Sequence, residues 1–368
     1  MRVAIGAILG TLGGPATYAR ELIHALGGLD APNDYVIITD RPDLLDVRGP
    51  NMRCVRAPLP SVLLQPLWDH GWVPYCVRRY RADVYHGTKG MLPVWMSCPA
   101  VVTIHDLAVY HQPETFALLQ RVHQRMHTPL AVRRAARVIA DSEHARQDLL
   151  QRFALRPDQV VAIPLAAAPI FSARPGTDDE RIAEELNLPA RYLLYAGTIQ
   201  PRKNVEALVA AFGAMRKAAG VVLLIAGRVR PGYQPQFLTR APEGVRYIGP
   251  VTDKVLAVLY RRALAMCSPS SFEGFGLSLL EAMASGCLVI AAANSAVEDL
   301  VNGCGILVSG VSAEAIRPAL ERTLSTDGEL DGMRARAQER AARYSWRDTA
   351  CRTLAVYCEA VQHACPGV

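Results

Sequence analysis

The stretch from Ser268 to Ala293, SPSSFEGFGLSLLEAMASGCLVIAAA, constrains the fold more than any other part of the chain. A polar, glycine-containing loop gives way to a helical pattern from Ser278 to Ser285, which Gly286 ends. The apolar run from Leu288 to Ala293 then predicts a strand. Loop, helix and strand in this order predict an architecture in which helices and strands alternate.

Two glutamates in this stretch indicate what its loop binds. Glu273 lies in the loop and Glu281 lies in the first turns of the predicted helix, with seven residues between them. The N-terminus of a helix, with the free backbone N–H groups of a glycine-containing loop, favours a phosphate. Carboxylates accept hydrogen bonds from sugar hydroxyls. A nucleotide sugar carries both groups, so the stretch predicts a nucleotide-sugar site.

The same stretch carries a resemblance to a known family. Its E-x7-E pattern, with Pro269 and Gly286 on either side, resembles the retaining nucleotide-sugar glycosyltransferases of the family 4 type, the group 1 glycosyltransferases. The resemblance implies an α/β chain of the GT-B fold, in which two Rossmann-like domains with parallel sheets face each other. It also implies a C-terminal helix that crosses back to the first domain.

The length of the chain agrees with two domains. Its 368 residues exceed the roughly 250–300 residues that one hydrophobic core serves efficiently. Residues 172–179, SARPGTDD, are polar and contain Pro and Gly, as expected of a linker. We therefore expect an acceptor-side domain over residues 1–172, a nucleotide-sugar domain over 173–345 and a returning helix over 346–368.

Composition excludes several other classes of protein. A net charge of +6, from 40 basic and 34 acidic residues, is too small and scattered to predict nucleic-acid binding. No run of about 18 apolar residues could span a bilayer, and the start, MRVAIGAIL, predicts a buried strand instead of a signal peptide. Nine cysteines without a C-x-x-C pair favour neither a disulfide framework nor a zinc site. We expect a cytoplasmic protein that could also contact the inner face of the membrane.

A glycine turn follows the first predicted strand, Val3 to Leu9. Its spacing is not G-x-G-x-x-G, so it supports a dinucleotide site only weakly. The family resemblance implies that Gly13 and Gly14 lie under the donor phosphates and the reacting centre. The alternative is a plain tight turn.

His105 ends the apolar run PAVVTIHD. Polar residues at the carboxyl end of a parallel strand face the crevice where ligands bind. The run TIHDLAVYHQPE resembles the HDL segment of the family, which implies that His105 contacts the transferred sugar. The alternative is a histidine that only makes structural hydrogen bonds.

Two cations, Arg202 and Lys203, lie in the loop TIQPRKN between a predicted strand and helix. Cations at that position would bind an anion at a helix N-terminus. The resemblance implies that they hold the diphosphate of the donor and stabilise it as it departs. The alternative is a solvated turn with two exposed basic side chains.

The Pro- and Leu-rich segment from Pro58 to Trp72 has two interpretations. It could form an interfacial surface that meets a lipid-linked acceptor, or the buried face of a helix beside solvated arginines. The residues concerned are Leu63, Leu64, Leu67 and Trp68, with Arg78, Arg79 and Arg81.

Together these patterns predict a retaining transferase that moves a hexosyl unit, with mannosyl as the preferred sugar. The expected donor is GDP-mannose or a UDP-hexose, and the expected acceptor is a saccharide or a polyprenyl-linked saccharide. The resemblance implies sugar contacts from Glu273, ribose contacts from Glu281, and donor contacts at the helix start from Gly276, Leu277 and Ser278. No D-x-D triplet occurs, so we expect activity without a metal or other cofactor. The alternatives are a UDP-hexose transferase acting on a soluble small molecule, and a nucleotide-sugar-binding or epimerase-type protein of the same fold.

Overall fold

A computed structural model describes residues 1–10, 13–45, 47, 49–57, 67–215, 220–240, 242–325 and 328–364. The chain divides into two units, each with its own parallel sheet. Unit 1 comprises Met1–Leu165 with Ser345–Val368, and unit 2 comprises Ala166–Tyr344.

Unit 1 is built on a seven-stranded sheet in which every described strand pair is parallel. Its central strands are short, mostly apolar runs that are buried, as expected where a parallel sheet is covered on both faces, whereas the edge strand with the sequence MRCVR is partly exposed. Their order is β3-β2-β1-β4-β5-β6-β7. The strands are β1 (Arg2–Ala7), β2 (Asp34–Thr39), β3 (Met52–Arg56), β4 (Val84–Gly87), β5 (Ala100–Ile104), β6 (Arg137–Ala140) and β7 (Val160–Ala162).

The helices of unit 1 connect these strands, and the last helix of the chain joins them. Ser142 caps one helix, as its sequence predicts, by accepting a hydrogen bond from the N–H of Ala145 at 3.0 Å. The α-helices are α1 (Gly14–Gly27), α2 (Val73–Arg79), α3 (Ala108–His111), α4 (Leu118–Arg134) and α5 (Glu143–Phe153), with a π-helix over Trp68–Trp72 and 3-10 turns over Pro42–Leu44 and Pro113–Thr115.

Unit 2 repeats the design with six strands in the order β10-β9-β8-β11-β12-β13, again parallel in each described pair. Its core holds the buried faces of these strands with apolar side chains of the covering helices. The strands are β8 (Tyr192–Ala196), β9 (Val222–Ala226), β10 (Val245–Gly249), β11 (Ala265–Ser268), β12 (Val289–Ala292) and β13 (Ile306–Val308).

The sequence of unit 2 predicts helices over Asp253–Arg262 and from Val205 to Ala218, and the first is confirmed at both ends. The helix predicted from Val205 to Ala218 ends at Gly213, and residues 216–219 lie outside the described ranges. The α-helices are α6 (Asp179–Glu185), α7 (Val205–Gly213), α8 (Asp253–Arg262), α9 (Leu277–Ala284), α10 (Ser295–Val301), α11 (Ala313–Arg322) and α12 (Gly328–Ala341), with 3-10 turns over Pro201–Lys203 and Gln236–Leu238.

The last helix, α13 (Trp346–Ala364), belongs to unit 1 although it follows unit 2 in the chain. It packs against α1 and against β4, β5 and β6. Thr349 anchors its start by donating to the carbonyl of Pro164 at 2.8 Å. The predicted return of the C-terminal helix to the first unit is therefore confirmed.

Both sheets have the strand order of a Rossmann-like fold, and each reverses direction of winding once. In unit 1 the reversal lies between β1 and β4, and in unit 2 it lies between β8 and β11. Ligands of open parallel sheets bind beyond the carboxyl ends of the strands at this reversal. Within the described ranges, no helix is long and apolar enough to cross a bilayer.

Candidate functional site

The carboxyl edge of the unit 2 sheet brings three of the predicted site residues together. Strands β8 and β11 are neighbours at the reversal of strand order. Arg202 and Lys203 follow β8 in a 3-10 turn, and Glu273 follows β11. Residues about 70 positions apart in sequence thus meet at one sheet edge.

The loop after β8 is held by backbone contacts on two sides. Gly227, at φ 142°, lies so close to this loop that an added Cβ would stand 1.8 Å from the carbonyl oxygen of Gly197. Ile199 donates to the carbonyl of Arg228 at 2.8 Å. On the other side, Ser271 donates its N–H to the carbonyl of Arg202 at 2.9 Å. The position of the two cations is therefore fixed by main chain as well as by side chains.

Glu273 lies between the two cations. Lys203 Nζ donates a hydrogen bond to Glu273 Oε1, and Arg202 Nη1 lies 3.5 Å from Glu273 Oε2. Arg202 also donates to the carbonyl oxygen of Phe272. Arg202 and Glu273 are each only 9% exposed. The alternative of a solvated turn with two exposed basic side chains therefore does not describe this loop.

The pKa of Glu273 shows which effect dominates in this cluster. Burial alone would raise the pKa of the carboxyl, but the charges of Lys203 and Arg202 and the hydrogen bond from Lys203 outweigh burial. The result is a pKa lowered from 4.5 to about 2. Glu273 is therefore ionised at neutral pH and can accept hydrogen bonds from hydroxyl groups.

Helix α9 begins directly after this loop. Gly276, its N-cap, has φ 92° and ψ 42°, a left-handed conformation that glycine adopts without strain. A Cβ there would also press on Val297 at 3.2 Å and Leu300 at 3.3 Å. Leu277 and Ser278 are the first two residues of the helix. Their N–H groups belong to the first turn, whose donors have no partner within the helix.

Glu281 lies on α9, eight positions after Glu273, and is 8% exposed. Its charge is among the causes that hold the pKa of the buried Tyr260 phenol well above the ordinary value, after burial itself. A buried carboxylate near a helix start is an expensive arrangement in a core.

The carboxyl edge of unit 1 carries the remaining predicted residues. Gly13 is the N-cap of α1 with φ 152° and ψ 178°, a conformation restricted to glycine, and Gly14 is the first residue of the helix. No described atom lies within 4 Å of the position that a Cβ would take at either glycine. Thr11 and Leu12, which precede them, lie outside the described ranges.

His105 follows β5 and has partners at both ring nitrogens. Its Nδ1 lies 2.7 Å from Asp141 Oδ2, and its Nε2 lies 2.9 Å from the carbonyl oxygen of Thr88. Both partners can only accept hydrogen bonds, so this geometry favours a ring that carries a proton on each nitrogen. Burial lowers the pKa of His105, but the charge and hydrogen bond of Asp141, with the Thr88 carbonyl, reverse this effect and raise the pKa above 6.5.

A second histidine on the same sheet has the opposite character. His86, on β4, is fully buried and contacts Tyr357 Oη at 2.7 Å and Thr103 Oγ1 at 2.8 Å. Tyr18 Oη lies 2.9 Å from the same Thr103 hydroxyl. Burial, with the nearby charge of His105, lowers the pKa of His86 to about 3. His86 is therefore a neutral member of a hydrogen-bonded core network that ties α13 and α1 to the sheet.

Sequence reasoning missed Asp141. A signal was present, because Asp141 directly follows β6, the strand beside β5, just as His105 follows β5. Polar residues after neighbouring parallel strands meet at the same edge. Asp141 is 3% exposed, and its Oδ1 is buried without a hydrogen-bond partner.

The predicted interfacial segment is only partly described. Leu63 and Leu64 lie outside the described ranges, whereas Leu67 is 69% exposed and Trp68 is 4% exposed. Trp68 therefore belongs to the core, as the alternative interpretation held. The arginines of α2 and its end, Arg78, Arg79 and Arg81, are exposed.

The described residues were also compared with the geometry that a metal ion requires. In the part of the chain that the structure describes, no group of three or more His, Cys, Asp or Glu side chains is arranged to hold a metal ion.

Comparison with known families agrees with both units. The family described as Glycosyltransferase Family 4 matches residues 12–167, and the family described as Glycosyl transferases group 1 matches residues 177–343. These two matches cover every strand of both sheets except β1, and they include all the predicted site residues. The protein belongs to the group 1 glycosyltransferases of the family 4 type and is an enzyme that transfers hexosyl groups.

Curated relatives and solved structures agree with this class. The chain is 26% identical over 294 residues to the O-antigen chain mannosyltransferase B of Escherichia coli, covering 77% of this chain and 76% of that one. It is 29% identical over 307 residues to the MMP alpha-(1->4)-mannosyltransferase of Mycolicibacterium hassiacum, covering 77% and 72%. Sucrose-phosphate synthase from Thermosynechococcus elongatus superposes with a TM-score of 0.78 at 23% identity, over 97% and 98% of the two chains. This likeness shows the GT-B fold.

Proposed function

We propose that the protein transfers a mannosyl unit from a nucleoside-diphosphate mannose to a saccharide or lipid-linked saccharide, with retention of the anomeric configuration and without a metal ion. The observation that carries this proposal is the buried cluster of Arg202, Lys203 and Glu273 at the carboxyl edge of the unit 2 sheet. It provides two cations and an ionised carboxylate beside a helix N-terminus.

The cations of this cluster suit a departing diphosphate. Negative charge grows on the leaving group as the glycosidic bond breaks, and fixed positive groups in a poorly solvated site stabilise that charge strongly. In the free protein Lys203 and Arg202 contact Glu273. Donor binding would let the diphosphate share these cations while Glu273 turns to the sugar hydroxyls.

The other predicted residues have consistent proposed roles. Glu281 would bind the ribose hydroxyls, and the N–H groups at Gly276, Leu277 and Ser278 would bind phosphate oxygens. In unit 1, open space beside Gly13 and Gly14 supports close approach of a ligand to the main chain. His105, held by Asp141 and by the Thr88 carbonyl, would present a rigid ring edge near the sugar.

Metal independence rests on the same cations. Divalent ions in glycosyl transfer neutralise the diphosphate, and here two side-chain cations and the start of α9 supply positive charge instead. The sequence also has no D-x-D triplet. Full activity in EDTA is expected, and activity that EDTA abolishes and magnesium restores would contradict this part of the proposal.

The sugar is proposed from the relatives. The Escherichia coli and Mycolicibacterium hassiacum proteins are both named mannosyltransferases, and both align with about three quarters of this chain. We propose GDP as the nucleotide of the donor, and UDP is the competing alternative.

A thermal-shift screen with GDP, UDP, TDP and ADP tests the donor. A ligand that binds only the folded protein raises its stability by RT ln(1 + [L]/Kd), so at about 100 times Kd the gain is about 2.7 kcal/mol. The largest shift is expected with GDP, and a larger shift with UDP would reassign the base. A Lys203→Ala variant is the control, since its shift should be smaller with every nucleotide.

Slow hydrolysis of GDP-mannose by the pure protein separates an enzyme from a binding subunit. Release of mannose without acceptor is expected, and NMR of a transfer product then reports the anomeric configuration. Nucleotide binding with neither hydrolysis nor transfer would favour a binding subunit. Interconversion of donor sugars would favour an epimerase.

A further inference from the structure

Exposed apolar side chains in unit 1 are concentrated on one part of its surface. Scattered single exposures are normal in proteins, whereas a cluster marks an interaction site. Five of the large hydrophobic residues that are exposed in unit 1 lie on helix α4. They are Leu118, Leu119, Val122, Met126 and Leu130, with exposures of 65%, 78%, 46%, 60% and 51%.

These five residues share one face of α4. Leu118, Val122, Met126 and Leu130 recur every four residues, and Leu119 lies beside them, so they form a continuous stripe along the helix. The opposite face is formed by Thr128, Ala131 and Val132, which are buried against the unit. An apolar stripe that points away from the core is not explained by packing within unit 1.

Two further exposed large hydrophobics of unit 1, Leu67 and Trp95, lie close in sequence to residues of a contact made with this helix. His127 of α4 stacks on His70, with ring centroids 5.8 Å apart. The π-helix that contains His70 follows Leu67, which is 69% exposed. His70 Nδ1 also accepts from the N–H of Val94 at 3.2 Å, which places the 76% exposed Trp95 beside this contact.

The charge of α4 complements an anionic surface. The helix carries four arginines, and from Thr115 to Ala140 the chain has no Asp or Glu. The arginines are Arg121, Arg125, Arg133 and Arg134, of which the last three are exposed. A helix with apolar side chains on one face, basic side chains beside them and no acidic residue is suited to lie in the interface of an anionic bilayer.

A second copy of this chain fits the α4 face less well. In a two-fold dimer the same patch meets itself, so arginines would lie against arginines with no carboxylate on α4 to compensate. We infer that the α4 face, defined as Leu118, Leu119, Val122, Met126 and Leu130 with the four arginines of the helix, binds the surface of an anionic phospholipid bilayer. The apolar side chains insert at the acyl boundary and the guanidinium groups contact lipid phosphates.

Vesicle flotation of the full chain tests this inference without donor or acceptor, so the result is independent of the proposed reaction. Vesicles of phosphatidylcholine alone are compared with vesicles that also contain phosphatidylglycerol. Binding is expected only to the second kind, and it should weaken as salt is raised. Arg121→Gln with Arg125→Gln should weaken binding about 30-fold, since each basic residue near the surface contributes about five-fold.

Apolar insertion is tested by Leu119→Ser and Met126→Ser, each expected to weaken binding by roughly ten-fold or more. Leu238→Ser with Arg240→Gln is the matched control, because both residues are exposed in unit 2, and it should leave binding unchanged. All variants change exposed or partly exposed side chains, and unchanged thermal unfolding confirms that they fold.

Three outcomes would overturn the inference. The first is equal binding to neutral and anionic vesicles, and the second is α4 variants that bind like the unit 2 control. The third is a dimer in analytical ultracentrifugation that the α4 substitutions dissociate, which would assign the face to a second copy.

Discussion

The two sheet edges of this enzyme have the same topology and opposite chemistry. The strand order reverses between β1 and β4 in unit 1 and between β8 and β11 in unit 2, and in unit 1 the paired residues His105 and Asp141 follow the next two strands, β5 and β6. The unit 2 edge holds two cations around a carboxylate. The unit 1 edge holds His105 paired with the buried Asp141, and the same sheet carries a hydrogen-bonded network of hydroxyls and His86.

The two units share a strand order but differ in their loop residues. The strand order therefore determines where a site lies, and the loop residues determine which ligand it can bind. The unit 2 cluster contains more cation than carboxylate charge, so it retains positive charge for an anionic ligand. In unit 1 the charges of His105 and Asp141 compensate each other, and the remaining groups are neutral. An edge of the first kind suits a diphosphate, whereas the second suits a neutral sugar.

Glu273→Gln should produce the largest effect in this comparison. It keeps the shape of the side chain but removes the carboxylate from two buried cations, which should lower the free energy of unfolding by about 3–5 kcal/mol. The pKa of Glu273 is lowered to about 2 in the folded state, so its contribution is present above pH 4.5 and is lost as pH falls toward 2. Urea unfolding at neutral and acid pH should show this loss in the wild type and not in the variant.

The matched control is Glu185→Gln, because Glu185 is paired with Arg181 on an exposed helix surface. Exposed pairs contribute about 0–1 kcal/mol, so this variant should unfold nearly like the wild type. Equal destabilisation by both substitutions would remove the distinction between the buried cluster and an ordinary surface pair.

Lys203→Ala should have the next largest effect, on turnover. Loss of a cation that stabilises the leaving group lowers kcat by about two to three decades, or about 2–4 kcal/mol. Lys254→Ala removes an exposed lysine paired with Asp178 and is the control in the same unit. Steady-state kinetics with GDP-mannose measures both, and a Lys203 variant with normal kcat would refute the assignment.

Asp141→Asn addresses the unit 1 edge. Without the carboxylate, burial should dominate and the pKa of His105 should fall below 6.5, with a loss of about 1.5–3 kcal/mol in unfolding free energy. The raised pKa of His105 means that the wild-type contribution is present below pH 6.5 and is lost as pH rises through the folded-state pKa. NMR titration of the His105 ring protons follows the pKa directly, and an unchanged titration would show that Asp141 does not set its charge.

Tyr357→Phe should have the smallest effect. It removes the hydrogen bond to His86 and keeps the ring, at a cost of about 1 kcal/mol. His86 stays neutral, so this variant should lower thermal stability without changing its pH dependence between pH 6.5 and 8. Tyr75→Phe, at a 56% exposed position, is the control and should have no measurable effect.

Much of the fold was predictable because most strands are short apolar runs. The helix Asp253–Arg262 agrees with its predicted bounds. The cluster of Arg202, Lys203 and Glu273 was predicted as a set because the family motifs and the helix-start chemistry identify the same residues.

Other features depend on tertiary contacts that no local pattern specifies. Leu67 and Trp68 belong to the same apolar segment in the sequence. In the structure Trp68 packs into the core, whereas Leu67 beside it is exposed. The pairing of Asp141 with His105 joins residues 36 positions apart, and it depends on β5 and β6 being neighbours in the sheet. The short helix Ser295–Val301 lacks the long apolar periodicity that reveals a helix.

The close approach of Gly227 to Gly197 has a thermodynamic consequence for donor binding. A flexible loop loses conformational entropy when it closes on a ligand, and that loss reduces affinity. Here the loop that carries both cations is already ordered by main-chain contacts with the loop after β9. The conformational entropy of this loop is lost when the protein folds, so its loss does not reduce the affinity for the donor. Adding a side chain at Gly227 would therefore weaken nucleotide affinity from a position that contributes no side chain to the site.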